Sequence, residues 1–248
     1  MSRCGVFITV RLSSTRLPQK ALLPVSGKPI ISYLINRIMH VIPETPLIIC
    51  TSDCEDDSRL CELAKDMGIS SFQGELDNIL VRHLECANTY DVDFIVNVDG
   101  DDIFCDPSVV RRIIDEYLAD PSYDVISSYG YPFGTNAFGY RTEVLERVAN
   151  KNRKQRIDTG WNELFRDKIE FRTKEFFAAE DQIDDVRLTL DYEEDFKIFE
   201  RLIMDLGMSE HFVEQKKIIQ HLKANPELKR INSHLNKQYL DHYYNRRS

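Results

Sequence analysis

The chain alternates β-rich runs with helical runs from its start, and this alternation constrains the fold more than any other feature. Residues 4–10 (CGVFITV), 47–51 (LIICT), 69–72, 94–98 (FIVNV) and 124–128 read as short strands rich in β-branched side chains. Behind Pro29, the residues Ile30, Ile31, Leu34, Ile35, Ile38, Met39 and Ile42 follow helical period, with Pro29 at the helix start. Amphipathic stretches over 56–67, stopped by Gly68, and over 78–90 and 107–118 continue the pattern. Strands separated by helices of this length make βαβ units, so the class is α/β with a mostly parallel sheet. In such sheets ligands bind beyond the carboxyl ends of the strands, where strand order reverses. The loops after Val10, Thr51, Val98 and Leu190 are therefore the ones to inspect, with 187–190 read as a further strand. Residues 129–186 are less regular and aromatic-rich (Tyr129, Tyr131, Phe133, Phe138, Tyr140, Trp161) and read as an insertion that covers the site. Helices are expected over 193–205 and 210–223. The polar tail from Asn225, with Tyr239, Tyr243 and Tyr244, reads as a surface helix or a partner contact.

Charge is distributed unevenly along this order. The net charge of −9 argues against nucleic acid as the main partner. The first 43 residues hold no carboxylate but six basic side chains, Arg3, Arg11, Arg16, Lys20, Lys28 and Arg37, while all 41 carboxylates come later. A positive segment on an acidic chain points to a small polyanion as ligand. No run approaches ~20 apolar residues, so no membrane span is expected. The apolar run that ends at Arg11 lacks a cleavage pattern. Cys4, Cys50, Cys54, Cys61, Cys86 and Cys105 form no Cys-x-x-Cys pair and have no His at zinc spacing, which predicts reduced, mostly buried thiols in a cytoplasmic protein.

Three segments carry groups suited to chemistry. Directly after the first strand, residues 11–20 (RLSSTRLPQK) hold three cations and three hydroxyls. This is not a Walker loop, yet Arg grips phosphate oxygens bidentately and Lys supplies a compact charge. Asp99, Asp101 and Asp102 follow the strand at 94–98, and Gly100 between them permits a sharp turn. Carboxylates at a strand end suit Mg²⁺, and Asp191, after the strand at 187–190, would share the same sheet edge and the same metal as Asp101. Basic loop, metal carboxylates and acidic remainder together describe an enzyme that handles a nucleoside triphosphate. His83 reads as a surface or packing residue, and His211, His221, His234 and His242 lie outside these motifs.

Arg11-x-x-Ser14-x-Arg16-Leu17-Pro18-x-Lys20 followed by Gly27-Lys28-Pro29 resembles the signature of the CMP-sugar cytidylyltransferases, the Kdo, acylneuraminate and above all spore coat polysaccharide biosynthesis protein F types. Thr51-Ser52-Asp53, 74–82, 94–107 (FIVNVDGDDIFCDP), 187–196 (RLTLDYEEDF) and Asn225-Pro226-Glu227-Leu228 extend the resemblance over nearly the whole chain. It implies a nucleotide-diphospho-sugar transferase fold with a Rossmann-like nucleotide half, CTP as donor, Mg²⁺ as cofactor, pyrophosphate release and a homodimer. Residues 1–128 and 187–207 would form the nucleotide and metal core, 129–186 the acceptor and dimer region, and 208–248 C-terminal helices. Carried over by position, Arg11 and Lys20 would contact the triphosphate and Arg16 its β,γ end. Val10, Leu12, Ser13, Thr51 and Asp99 would line the nucleotide, and Arg82 with Asp77 and Asn78 would lie near base and ribose. Asp101 and Asp191 would bind Mg²⁺, and Asn136, Arg156, Thr159 and Trp161 would face the acceptor.

Two positions depart from the resembled pattern. Asp99 stands where the Kdo enzymes carry Gln and the spore coat type Thr, and 131–136 lacks the usual Gly-Leu-Asp. The acceptor is therefore expected to be a small anion other than Kdo, a sugar acid or a phosphorylated small molecule such as phosphoglutamine, clamped by Arg141, Arg153 or Arg156. The product would serve surface polysaccharide or capsule synthesis. A glycosyltransferase of the same fold leaves the basic loop unexplained, and a non-catalytic nucleotide-binding protein would have lost Lys20, Asp101 or Asp191, all of which are present.

Overall fold

Among the described residues, nine strands and eight α-helices alternate much as the hydrophobic periods require. The computed structural model describes residues 3–182 and 184–236. Its strands are β1 (Cys4–Thr9), β2 (Pro24–Val25), β3 (Lys28–Pro29), β4 (Leu47–Ser52), β5 (Ser70–Gly74), β6 (Phe94–Asp99), β7 (Val125–Tyr129), β8 (Phe138–Arg141) and β9 (Thr173–Phe177). Its helices are α1 (Ile31–Val41), α2 (Ser58–Asp66), α3 (Ile79–Tyr90), α4 (Pro107–Ala119), α5 (Thr142–Asn152), α6 (Glu193–Asp205), α7 (Gln215–Ala224) and α8 (Pro226–Arg230). Seven strands form one sheet in the order β5-β4-β1-β6-β8-β7-β9, and β2 and β3 form a small hairpin beside it. All pairings in the large sheet are parallel except those of β8, which runs antiparallel between β6 and β7.

The chain moves outward from β1 to β4 and β5, then crosses back to place β6 on the other side of β1, with Thr9 opposite Asp99. The reversal leaves a crevice beyond the ends of β1 and β6, and both chemical loops start there. Both sheet faces are covered, which explains why the strands read as continuous apolar runs. Ile31, Leu34 and Ile38 of α1, Val110 and Ile113 of α4, and Ile198 and Leu202 of α6 pack on one face. Leu80 and Cys86 of α3, Val144, Leu145 and Val148 of α5, and the aromatic group Trp161, Phe165 and Phe171 pack on the other.

The region read as an insertion does more than cover the site, because β8 and β9 are built into the main sheet. Gly139 interrupts the apolar run of β8, and Lys174 and Glu175 interrupt that of β9, so neither carries the strand signal of β1 or β6. The expected strand at 187–190 is not one. Arg187 forms a single bridge with Phe133, and the backbone donors of Leu188 and Leu190 go to loop carbonyls, Phe133 O at 2.7 Å and Asp101 O at 2.9 Å. The helix expected from residue 210 begins only at Gln215, after turns that follow Gly207. Beyond Asn225 the chain is less superficial than its polarity suggests, since Leu228, Asn232 and Leu235 are buried. Tyr239, Tyr243, Tyr244 and His242 lie outside the described residues. Among the described residues no helix is long and apolar enough to cross a membrane. All six cysteines are free thiols, with Cys50, Cys86 and Cys105 buried and Cys4, Cys54 and Cys61 partly exposed.

Candidate active site

A cleft of about 950 Å³ opens where the loops after β1 and β6 meet the segment delivering Asp191, with 129–166 forming its far wall. The loop after β1 is held by its apolar residues. Leu12 is buried, donates its N–H to Asp57 Oδ1 at 2.8 Å, and accepts from Ser14 N at 2.9 Å and Gln19 N at 3.2 Å. Leu17 is a second buried anchor, so Arg11, Ser13 and Arg16 face the cleft. Gln19 adopts a left-handed conformation (φ 54°) that starts a short 3₁₀ turn, with Ala21 buried beneath and Lys20 lining the cleft. The loop after β6 packs against this one. A Cβ on Gly100 would lie 2.5 Å from Val10 Cβ, so only glycine permits the approach.

Asp191 reaches the same place by another route. Gly134 (φ +89°) crosses the 187–190 segment so closely that a Cβ would lie 2.3 Å from Leu188 O. The 191–192 backbone is then fixed by buried Asp195, whose Oδ2 accepts from Asp191 N at 2.9 Å and Tyr192 N at 3.0 Å. Asn232 donates to Asp195 Oδ1 at 2.8 Å and to Arg187 O at 3.0 Å, so the C-terminal segment braces the site. Fully buried Arg187 spans Asp191 (2.7 Å) and Asp195 (3.0 Å). Arg187, Asp191 and Asp195 are spaced by four residues, a pattern visible in the sequence, but the roles of Arg187, Asp195 and Asn232 depend on contacts it does not display.

The charges converge on one point. Lys20 Nζ lies 2.6 Å from Asp101 Oδ2 and 3.0 Å from Asp191 Oδ1, and Arg16 also pairs with Asp191 Oδ1. Burial works against the charge of Lys20, but Asp101 and Asp191 outweigh it and hold the ammonium above its usual pKa. Burial likewise opposes ionisation of Asp191, yet Lys20, Arg16 and Arg187 bring its pKa down to about 2. Asp99 behaves in the opposite way: desolvation, then the neighbouring charge of Asp101, raise it to about 6. Asp102 is pushed well above the usual carboxylate range by burial and by Asp101 and Asp99. Oxygens of Asp99, Asp101 and Asp102 lie within 4.8 Å of one another. One ammonium already bridges Asp101 and Asp191, so these hard oxygen donors are placed to share a cation, and the donor set fits Mg²⁺.

Several expected residues fall elsewhere. Half of the N-terminal positive charge is absent from the cleft: Arg3 pairs with Asp91, Lys28 donates to Ser209 O, and buried Arg37 donates to Val213 O. Thr51 is fully buried in β4 and does not line the cleft. Asp77 points to the surface beside Arg156 (3.4 Å). Asn78 is a helix cap: its Oδ1 accepts from Leu80 N and Val81 N, and its Nδ2 donates to Asn152 O and Gln155 O. Local capping used its side chain, so Asn78→Ala is expected to cost about 1–2 kcal/mol of stability, read as a lower urea midpoint. Arg82 does line the cleft, buried beside Glu75 O (3.1 Å), and desolvation lowers its pKa.

On the far wall Asn136, Arg156, Thr159 and Trp161 all reach the cleft. Arg141 does not, because Asp124 (3.6 Å) and Glu143 hold it at the surface, and Arg153 lines a separate cavity between α3 and α5. Arg166, unmarked in the sequence, lines the cleft with Glu163 at 3.0 Å. His83 is neither superficial nor merely packed. It is fully buried, hydrogen-bonded at both ring nitrogens, and desolvation holds it neutral, well below its usual pKa.

Comparison with known proteins bears on the family and the fold. A family model described as cytidylyltransferase matches residues 6–222. The chain is 25% identical to the spore coat polysaccharide biosynthesis protein SpsF of Bacillus subtilis, over 89% of this chain and 94% of that protein. It is 31% identical to 3-deoxy-manno-octulosonate cytidylyltransferase of Trichlorobacter lovleyi over 116 residues, 46% of this chain and 44% of that one. Among solved structures, a cytidylyltransferase from Leptospira borgpetersenii superposes with a TM-score of 0.80 at 22% identity, covering 92% of this chain and 97% of its own.

Proposed function

The chain belongs to the cytidylyltransferase family, and on that premise we propose that it transfers CMP from CTP to a small anionic acceptor with release of pyrophosphate. The observation that carries this reading is the convergence of Arg11, Arg16 and Lys20 with Asp101 and Asp191 at one end of a single cleft. An acceptor oxygen attacks the α-phosphorus, a sugar hydroxyl giving its proton to the Asp99 carboxylate and a phosphate oxygen needing no base, while the bond from the α-phosphorus to the α–β bridging oxygen breaks and its electron pair leaves with pyrophosphate. Such a transfer asks the protein for position and charge rather than covalent chemistry.

Asp101 and Asp191 would hold Mg²⁺, which when bound supplies charge neutralisation at the triphosphate and polarises the α-phosphate. The side chains around it exchange partners. Lys20 and Arg16 pair with Asp101 and Asp191, and with a divalent cation held by these carboxylates the two side chains would turn to the β- and γ-phosphates, leaving no charge uncompensated. Arg11, steadied by Leu76 O at 3.3 Å, faces the phosphates from the other side. Leu76, Ile79 and Arg82 supply the wall beside base and ribose. Arg156 and Arg166 stand on the acceptor wall paired with Asp158 (3.8 Å) and Glu163 (3.0 Å), and exchanging these carboxylates for an acidic or phosphorylated acceptor would let both guanidinium groups bind it. Similarity to SpsF along most of both chains supports a role in surface polysaccharide synthesis.

Pyrophosphate release measured across the four nucleoside triphosphates, each with sugar acids, sugar phosphates, phosphoglutamine and neutral sugars, tests the proposal. CTP is expected to exceed UTP by at least about a hundredfold, because a site matched to the amino edge of cytosine leaves polar groups unpaired against uracil. Equal turnover of CTP and UTP overturns the base assignment. Efficient turnover of a neutral, unphosphorylated sugar overturns the anion assignment.

A further inference from the structure

From behind the cleft to its lining, five polar side chains form a continuous line between the acceptor wall and the end of β6. Tyr140 Oη lies 2.6 Å from His83 Nδ1, and His83 Nε2 lies 2.8 Å from Thr9 Oγ1. Thr9 Oγ1 lies 2.5 Å from Asn97 Oδ1, and Asn97 Nδ2 lies 2.9 Å from Asp99 Oδ1. The line links β8, α3, β1 and β6, and no two of its members are close in sequence except Asn97 and Asp99.

The direction of every bond follows from the Asn97 amide, which presents its NH₂ to Asp99 and its carbonyl oxygen to Thr9. Thr9 therefore spends its single proton on Asn97, and its oxygen must accept from His83 Nε2–H. His83 is neutral, so its Nδ1 is bare and accepts from the Tyr140 hydroxyl. Four donors in series thus point toward one oxygen of Asp99. The other oxygen has no protein partner among the described residues and faces the cleft. Trp161 packs edge-on against His83 (5.2 Å) and Tyr140 (5.5 Å), which covers these two members from the acceptor side.

We propose that Tyr140, His83, Thr9 and Asn97 are positioning residues that act through Asp99, fixing its carboxylate so that one oxygen is aimed at the reacting groups. The proposal rests on the cytidylyltransferase reading for the reaction, but its hydrogen-bond polarity stands independently. The series runs from the buried Tyr140–His83 pair to half-buried Thr9 and exposed Asp99, and reversing one proton along it would leave two donors or two acceptors face to face. Asp99 sits opposite Thr9 in the β1–β6 register, beside the turn that carries Asp101, so a swing of its carboxylate would disturb the metal and acceptor ends together.

The test joins a spectroscopic and a kinetic measurement on the full chain. In ¹⁵N-histidine-labelled wild-type protein, His83 is expected to show a protonated Nε2 and a bare Nδ1. Thr9→Val removes the central link at nearly constant volume, and Tyr140→Phe removes the far donor. Each variant is expected to lose the single tautomer and to lower kcat about tenfold, with KM for CTP changed by less than about twofold. Thr9→Ser restores the hydroxyl and is expected to restore both readouts. A His83 protonated at Nδ1 overturns the proposal, as does a folded Thr9→Val with wild-type kcat. Absence of nucleotidyl transfer in wild type would instead overturn the functional reading, and the His83 tautomer alone would then decide whether the hydrogen-bonded series is correct.

Discussion

Asp191→Asn is expected to lower kcat/KM for CTP by about 10²–10³, the scale seen when one preorganised electrostatic group is lost. The same substitution should destabilise the fold, unlike Asp101→Asn. Asp191 is 1% exposed and carries Arg16, Lys20 and Arg187, whereas Asp101 is partly open and touches Lys20 alone among these. Removing the buried charge breaks the pair of Asp191 with fully buried Arg187, and breaking a buried pair costs about 3–5 kcal/mol. Urea denaturation and pyrophosphate release on the two variants separate the effects: both fall in Asp191→Asn, and chiefly turnover falls in Asp101→Asn. Near-wild-type turnover of either variant with Mg²⁺ removes that carboxylate from the metal site.

The same residue predicts an acid limb. Its folded pKa of about 2 lies below the ordinary 3.8, so ionised Asp191 stabilises the fold above the ordinary value. That stabilisation is lost as pH falls from about 4 through about 2, and the urea midpoint should fall with it more steeply in wild type than in Asp191→Asn. Lys20 gives the mirror case: its raised pKa keeps its contribution present below the ordinary 10.5 and lost only as pH rises beyond it.

Lys20→Met should move two properties in opposite directions. Turnover is expected to fall about 10³-fold, because the charge that meets the departing pyrophosphate is gone. Divalent-cation binding should strengthen, because Lys20 occupies the oxygens of Asp101 and Asp191 that the cation needs. Without the ammonium the two carboxylates repel across a short gap, and a divalent ion relieves that repulsion. Thermal denaturation with increasing Mg²⁺ should therefore show a larger rise in Tm for the variant than for wild type. An equal or smaller rise means that Asp101 and Asp191 do not form the cation site.

How much of this was legible depends on the range over which each signal acts. The strands β1, β4 and β6 and the helices α1, α3, α4 and α6 follow from period and local stop signals, and their observed bounds differ from expectation by a residue or two. The site loops were legible because their side chains are adjacent in sequence and follow a strand end. Asn78 illustrates the opposite outcome: a polar residue beside site residues was claimed by the nearest unsatisfied helix donors. Thr51 was claimed by the core. The clamp residues Arg141 and Arg153 lie on a strand and a helix end whose facing is decided by β8 entering the sheet antiparallel.

By itself the sequence determined the α/β class, the crevice beyond β1 and β6, and the basic and acidic loops that flank it, because periodicity, turn residues and adjacent charges act over a few residues. Only the tertiary structure decided that Lys20 and Arg16 meet Asp191 across more than 170 positions, that Asn232 braces Asp195, and that His83 is a buried link rather than a surface residue. Those contacts depend on which unpaired polar groups are brought face to face when distant segments are buried together. A buried charge or hydrogen-bonding group must find its partner in space, and chain order carries no direct record of that distance.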